Sequence, residues 1–239
     1  VWGSNVTTPQ VNEKYARVKG ETKVVLPEGA AAKDYKIHTT LCAPDGKAVV
    51  EKEESLSSIV YNDSVMVQEF VVEKPSLWSP DTPALYTVKS RLYNGERQLK
   101  DEYATRFGIR SIEIIPDKGF FLNGCKTVFK GVCNHHDLGP LGAAVNDAAI
   151  RRQVRILKDM GCNAIRTAHN MPAPELVRAC DEMGMMLMAE SFDEWNVPKC
   201  RNGYNLLFDE WAEKDMVNLV HHYRNNPSVV MWCIGNEVP

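Results

Sequence analysis

Nothing in the 239-residue chain is long and apolar enough to span a membrane. Its longest apolar run, VVMWCIG at 229–235, is under half of the ~20 residues a span needs. No basic block or arm is present either. The 28 lysines and arginines are balanced by 31 acidic residues for a net charge of −3, which makes nucleic acid and anionic membrane surfaces poor partners. There is no Cys-x-x-Cys pair, and seven cysteines cannot all pair within one chain. They are read as mostly buried free thiols, which favours a reducing compartment only weakly. The opening VWGSNVTTPQ has no initiator Met and lacks the basic start and apolar middle of a signal peptide. The natural N-terminus is therefore expected to lie elsewhere, and the compartment, cytoplasmic or periplasmic, stays open.

What is present is enough apolar content, 44%, to bury a sizeable core, arranged in two grammars. Up to residue 107 the chain alternates: Tyr35, Ile37, Thr39 and Leu41 share one side, as do Tyr86, Val88, Ser90 and Leu92. Turn chemistry at PDG 44–46, YND 61–63 and NG 94–95 separates the strands. About seven short strands in a hundred residues predict an immunoglobulin-like β-sandwich over 1–107. From 108 to 239 the pattern becomes strand, loop, helix, repeated. TVFKGVC at 127–133 reads as a first strand, and DAAIRRQVRILKDMG follows as a helix with Ile150, Val154 and Leu157 on one face. NAIRTA, the helix PELVRACDEMG, and MMLMAES continue the series; a long helix carrying Phe208, Trp211, Met216, Leu219 and Tyr223 leads to SVVMWCIG as strand four. Four strands and three helices make the first half of a (β/α)₈ TIM barrel, so the fold class is multidomain β and α/β. A doubly wound sheet also fits the alternation, but no G-x-G-x-x-G turn follows strand one.

Barrel chemistry sits at the C-terminal ends of strands. Here those ends carry Asn134, His135, His136 and Asp137; then Arg166, Thr167, His169 and Asn170; then Glu190, Asp193, Glu194, Trp195 and Asn196; then Asn236 and Glu237. Taken singly, such a carboxylate caps a helix or pairs with an arginine. Four consecutive strand ends favour a pocket that holds a polar ligand, because so many polar groups are costly to bury without partners. No H-E-x-x-H helix or Cys/His zinc spacing is found, so no transition metal is expected, and Mg²⁺ on carboxylates is the metal that stays open. The methionines of MGMMLM read as core, and His221 and His222 as residues flanking the apolar face of the third helix.

At GCNAIRTAHN and RNNPSVVMWCIGNE, and backwards through GVCNHHDLGPLGAA, FGIRSIEI and LWSPDTPALYTV, the sequence resembles glycoside hydrolase family 2, the β-galactosidases, β-glucuronidases and β-mannosidases. The resemblance implies that Glu237 is the general acid/base and that the nucleophilic glutamate lies beyond residue 239. It implies that Asn236 holds the sugar 2-hydroxyl, that Arg166 orients the nucleophile, and that His135 and His169 line the sugar subsite; Glu194 and Trp195, after strand three, complete the substrate-binding candidates. Glu194 resembles a carboxylate that holds Mg²⁺ in some β-galactosidases, although the histidine expected two residues on is Asn196. The GVCNHHD, HN and SFDEW variants look most like β-galactosidase-type members. The implied function is a retaining exo-β-glycosidase acting on a carbohydrate, most like a β-galactosidase. β-Glucuronidase, β-mannosidase and a non-catalytic sugar-binding scaffold are the alternatives. An open half barrel would expose apolar faces and an unpaired edge, so self-association into a homo-oligomer and little hydrolysis by these residues alone are expected.

Overall fold

The structure is a computed structural model that describes residues 3–57 and 65–238; the turn expected at 61–63 lies outside them. It has two compact units. One is built from residues up to Ser79 with Ala84–Ile114 and Phe121–Cys125, the other from Pro80–Pro83, Ile115–Phe120 and the residues from Lys126 on.

Among the described residues up to 107 there are seven strands: β1 (Ser4–Val11), β2 (Tyr15–Lys23), β3 (Tyr35–Cys42), β4 (Ala48–Ser55), β5 (Val65–Glu73), β6 (Tyr86–Asn94) and β7 (Leu99–Phe107). Period-2 patterning decides which side of each is buried. In β5, Met66, Gln68, Phe70 and Val72 are buried while Val67, Glu69, Val71 and Glu73 face out. The strands pair antiparallel as β1-β2-β5 and β4-β3-β6-β7. This is the seven-strand sandwich read from the sequence, with one difference from the constant-type immunoglobulin arrangement: β4 pairs with β3 instead of lying beside β5. The PDG turn, with Gly46 at φ +83, makes β3 and β4 a tight hairpin and so makes them neighbours. Leu41, Phe70, Tyr86, Val88 and Phe107 fill the space between the sheets. A buried polar link crosses it, Thr39 Oγ1 donating to Gln68 Oε1 at 2.6 Å. Residues 112–126 then form a small sheet of β8 (Ile112–Ile115), β9 (Gly119–Leu122) and β10 (Cys125–Lys126).

In the second unit β11 (Gly131–His135), β12 (Ala164–Ala168), β13 (Met186–Glu190) and β14 (Val229–Cys233) alternate with α1 (Asp147–Asp159), α2 (Pro174–Met183) and α3 (Phe208–Tyr223). The strands are parallel and neighbour one another in chain order, β11-β12-β13-β14. That order is an arc of a singly wound barrel; a doubly wound sheet would reverse at a switch point. The first strand starts four residues later than its apolar run suggests. The Asn163 side chain bonds the backbone at 128 and 130 (Asn163 Nδ2 to Val128 O, 3.0 Å; Lys130 N to Asn163 Oδ1, 2.8 Å), holding that segment out of the ladder.

Local signals set the helix ends. The Asn146 side chain accepts from Ala149 N at the start of α1, Pro174 opens α2, and Gly161 and Gly184 follow α1 and α2 with φ of +88 and +73. Lys158 caps α2 further, its Nζ donating to the carbonyls of Met183, Gly184 and Pro80. On α3, Leu219 and Tyr223 are buried but Trp211 is 42% exposed under the Lys214 ammonium. It therefore does not share the buried face read from the sequence. Asp181, 6% exposed, accepts from Asn226 Nδ2 (2.5 Å) and Ser228 N (3.0 Å), which fixes the start of β14.

The core under the helices is built from Ile150, Val154, Ile165, Val177, Leu187, Ala189, Leu219 and Val229, each large aliphatic contributing about 1.5–3 kcal/mol by burial. No disulfide links the seven cysteines, yet only Cys42 and Cys180 are buried: Cys125 lies on the small sheet, Cys162 and Cys200 in loops, and Cys133 and Cys233 on strands of the second unit. Among the described residues no helix is long and apolar enough to cross a membrane.

Candidate active site

The strand alternation that sends Ile165, Leu187 and Ala189 under the helices turns Arg166, Met188 and Glu190 to the opposite face. Glu190, at the end of β13, is fully buried, and the groups around it make it the hub of the site. Arg166 Nη2 donates to Glu190 Oε1 at 2.7 Å, and His169 Nδ1 lies 3.3 Å from the same oxygen. The His135 ring meets the His169 ring edge-on at 5.2 Å between centroids. Arg166 Nη2 also donates to Asn236 Oδ1 at 3.2 Å. Side chains from β11, β12, β13 and the residues after β14 thus meet at one end of the sheet. The Cys133 thiol, 3.6 Å from Nη1, and then the Glu190 carboxylate hold the Arg166 guanidinium above its usual range against the lowering effect of burial.

Asn236 is held at three further points. Its Nδ2 donates to Asp193 Oδ1 (3.1 Å), its backbone N to Phe192 O (2.8 Å), and its carbonyl accepts from Trp195 Nε1 (2.8 Å). Trp195 therefore acts on the end of β14 itself. Gly235 must be a glycine for this to happen: its φ is +149, and a Cβ there would lie 2.6 Å from Phe192 O and 2.8 Å from Trp195 Cζ2. In the full-length protein Gly235→Ala is expected to lose about 1–3 kcal/mol and to show a lower melting temperature; an unchanged melting point would contradict this packing.

Glu237 follows Asn236 with φ +47 and a side chain 72% exposed, its Oε2 2.9 Å from Lys199 Nζ. Lys199 also reaches Asp193 Oδ1 at 3.2 Å. Partial burial pushes the Asp193 carboxyl up, but the Asn236 amide and the Lys199 ammonium outweigh it and hold the group below the ordinary carboxylate range.

Beside this network a cavity of about 620 Å³ is walled by His135, His136, His169, Asp193, Glu194 and Tyr204, among others. That is a size suited to a sugar. Arg166, Trp195, Asn236 and Glu237 do not line it; they join it through Glu190 and Asp193. Glu194 does line it, yet its oxygens point elsewhere. Oε1 accepts from Lys199 N (2.5 Å) and Cys200 N (3.3 Å), and Oε2 from Asn205 N (3.3 Å). The Lys199 amide first, then those of Asn205 and Cys200, hold its carboxyl below the usual range against burial. With both oxygens taken by backbone donors and Asn196 two residues on, these residues do not fit Mg²⁺.

Residues 4–110 match the model of "Glycosyl hydrolases family 2" and 113–239 that of "Glycosyl hydrolases family 2, TIM barrel domain". The chain belongs to glycoside hydrolase family 2. This family 2 chain is 44% identical to the β-galactosidase BoGH2A of Bacteroides ovatus over 99% of its own length, and spans 28% of that relative. A family 2 member from Bacteroides cellulosilyticus superposes with a TM-score of 0.92 at 36% identity, covering 99% of this chain and 30% of that one. A Bacteroides uniformis β-glucuronidase gives 0.79 at 29% identity over 96% of this chain and 27% of its own. The predicted architecture, a sandwich followed by part of a TIM barrel, is the one these matches and the strand order give.

Of the residues singled out in the sequence, Arg166, His169, His135 and Asn236 come together, Trp195 supports them, and Glu237 joins through Lys199. Glu190 as hub, and Asp193 and Lys199 as partners of the Asn236–Glu237 pair, went unassigned. The one signal for Glu190 was its place at the end of a parallel strand.

Proposed function

We propose that the full-length protein is a retaining exo-β-glycosidase that removes terminal β-linked sugars, with a β-galactoside as its substrate. The reading rests above all on the Asn236–Glu237 pair at the end of the fourth parallel strand, tied through Arg166 to the buried Glu190. The 44% identity to a β-galactosidase supports the choice of sugar. The likeness to a β-glucuronidase structure makes a β-glucuronide the rival substrate. The division into a sandwich over 1–107 and a catalytic half barrel over 108–239 is part of the same proposal.

Retaining hydrolysis uses two carboxyl groups about 5–5.5 Å apart on either side of the glycosidic bond. Glu237 gives its proton to the leaving oxygen, and after the covalent intermediate forms it takes a proton from the attacking water. Asn236 bonds the 2-hydroxyl more strongly in the transition state than in the bound substrate, which is where a hydrogen bond adds rate. By the family resemblance the nucleophile is a glutamate outside these residues; of the carboxylates near the pair, Glu190 is bonded by Arg166, Asp193 by Asn236 and Lys199, and Glu194 by backbone amides. These 239 residues alone are accordingly without turnover on an aryl β-galactoside.

The test is to follow the full-length protein on aryl β-galactoside and β-glucuronide by proton NMR. The β-anomer of galactose should form first and mutarotate later. First appearance of the α-anomer would exclude retention, and turnover of the glucuronide alone would move the assignment to the rival sugar.

A further inference from the structure

The loop after β13 is assembled around a single carboxylate. Three backbone amides, from Lys199, Cys200 and Asn205, close on Glu194, which is 7% exposed, and a Cβ on Gly203 would overlap its carboxylate. What this latch presents outward is Lys199. Its Nζ lies 2.9 Å from Glu237 Oε2 and 3.2 Å from Asp193 Oδ1, and that Asp193 oxygen also accepts the amide of Asn236 at 3.1 Å. One ammonium thus sets both members of the Asn236–Glu237 pair. With Lys199 35% and Glu237 72% exposed, the ion pair adds little to stability, so its consequence is directional.

We propose that Lys199 is a positioning residue for the proton transfer carried by Glu237, held in place by the Glu194 latch instead of by a cation. The inference rests on the acid/base reading of Glu237 given above. A glutamate side chain has three torsions and, when exposed, samples many of them. Lys199 engages Oε2 and leaves the second oxygen to carry the proton. The ammonium donates to the unprotonated oxygen whether the carboxyl is the acid of the first step or the base of the second, so the contact is kept as the proton goes to the glycosidic oxygen. The ammonium itself stays charged through both steps: its bond to Glu237, then that to Asp193, holds its pKa above the ordinary lysine range.

The experiment uses the full-length protein and two aryl β-glycosides of the hydrolysed sugar. A dinitrophenyl leaving group departs without a proton; a phenyl group requires one. Lys199→Met should lower kcat/KM on the phenyl glycoside about tenfold and leave the dinitrophenyl value within about twofold, with Lys199→Arg recovering most of the loss. Glu194→Gln should show the same selective loss, and EDTA followed by Mg²⁺ should alter neither rate. Glu237→Gln is the reference. A selective loss in Glu237→Gln with a uniform loss, or none, in Lys199→Met overturns the inference alone. A response in Glu237→Gln that is equal for both leaving groups overturns the acid/base reading and the role of Lys199 with it.

Discussion

Glu237→Gln in the full-length protein is expected to lower kcat/KM on a phenyl β-glycoside by about 10²–10⁴-fold, the range over which positioned proton transfer contributes. Glutamine keeps the volume and the hydrogen-bond acceptor but has no proton to give. The side chain is 72% exposed and its partner Lys199 lies at the surface, so the melting temperature should not move. A dinitrophenyl glycoside should be cleaved at nearly the original rate in the first step and then stall, because no base activates the water. Added azide, which needs no base, should restore turnover and yield the β-glycosyl azide. Full activity of Glu237→Gln on the phenyl substrate would remove the central residue of the proposed mechanism.

Arg166→Met should be the most destabilising single exchange at the site. It strips the close cationic partner from Glu190, whose side chain is completely buried. Removing one member of a buried pair leaves an uncompensated charge, at a cost of about 3–5 kcal/mol, and Asn236 loses a donor as well. Thermal or urea unfolding of the full-length protein measures it. Arg166→Met/Glu190→Met should recover much of the loss, since a buried pair replaced by apolar side chains of similar size is often close to neutral. A loss below about 1 kcal/mol in the single variant would mean that water or another group compensates Glu190.

The sandwich strands and the strand–helix alternation of the barrel were legible because their signals are local. A period of 2 with PDG and NG turns spells hairpins, and the PDG turn even accounts for the pairing of β3 with β4. Asn146, Pro174 and Gly184 mark helix ends by chemistry that acts within a few residues. The start of β11 was misread because the residue that diverts it, Asn163, comes a helix later in the chain.

The site divides the same way. Strand ends by themselves pointed to His135, Arg166, His169, Glu190, Asn236 and Glu237. Which groups share a proton, a charge or a hydrogen bond was decided only by tertiary structure. Glu190 finds Arg166 across a strand, Lys199 finds Glu237 across a loop, and Glu194, with the same side chain as Glu237, is consumed by three amides of its own loop. Residue type and spacing determine what a side chain can do; the partners that select among those options are brought in from distant positions by folding, and no local pattern encodes them.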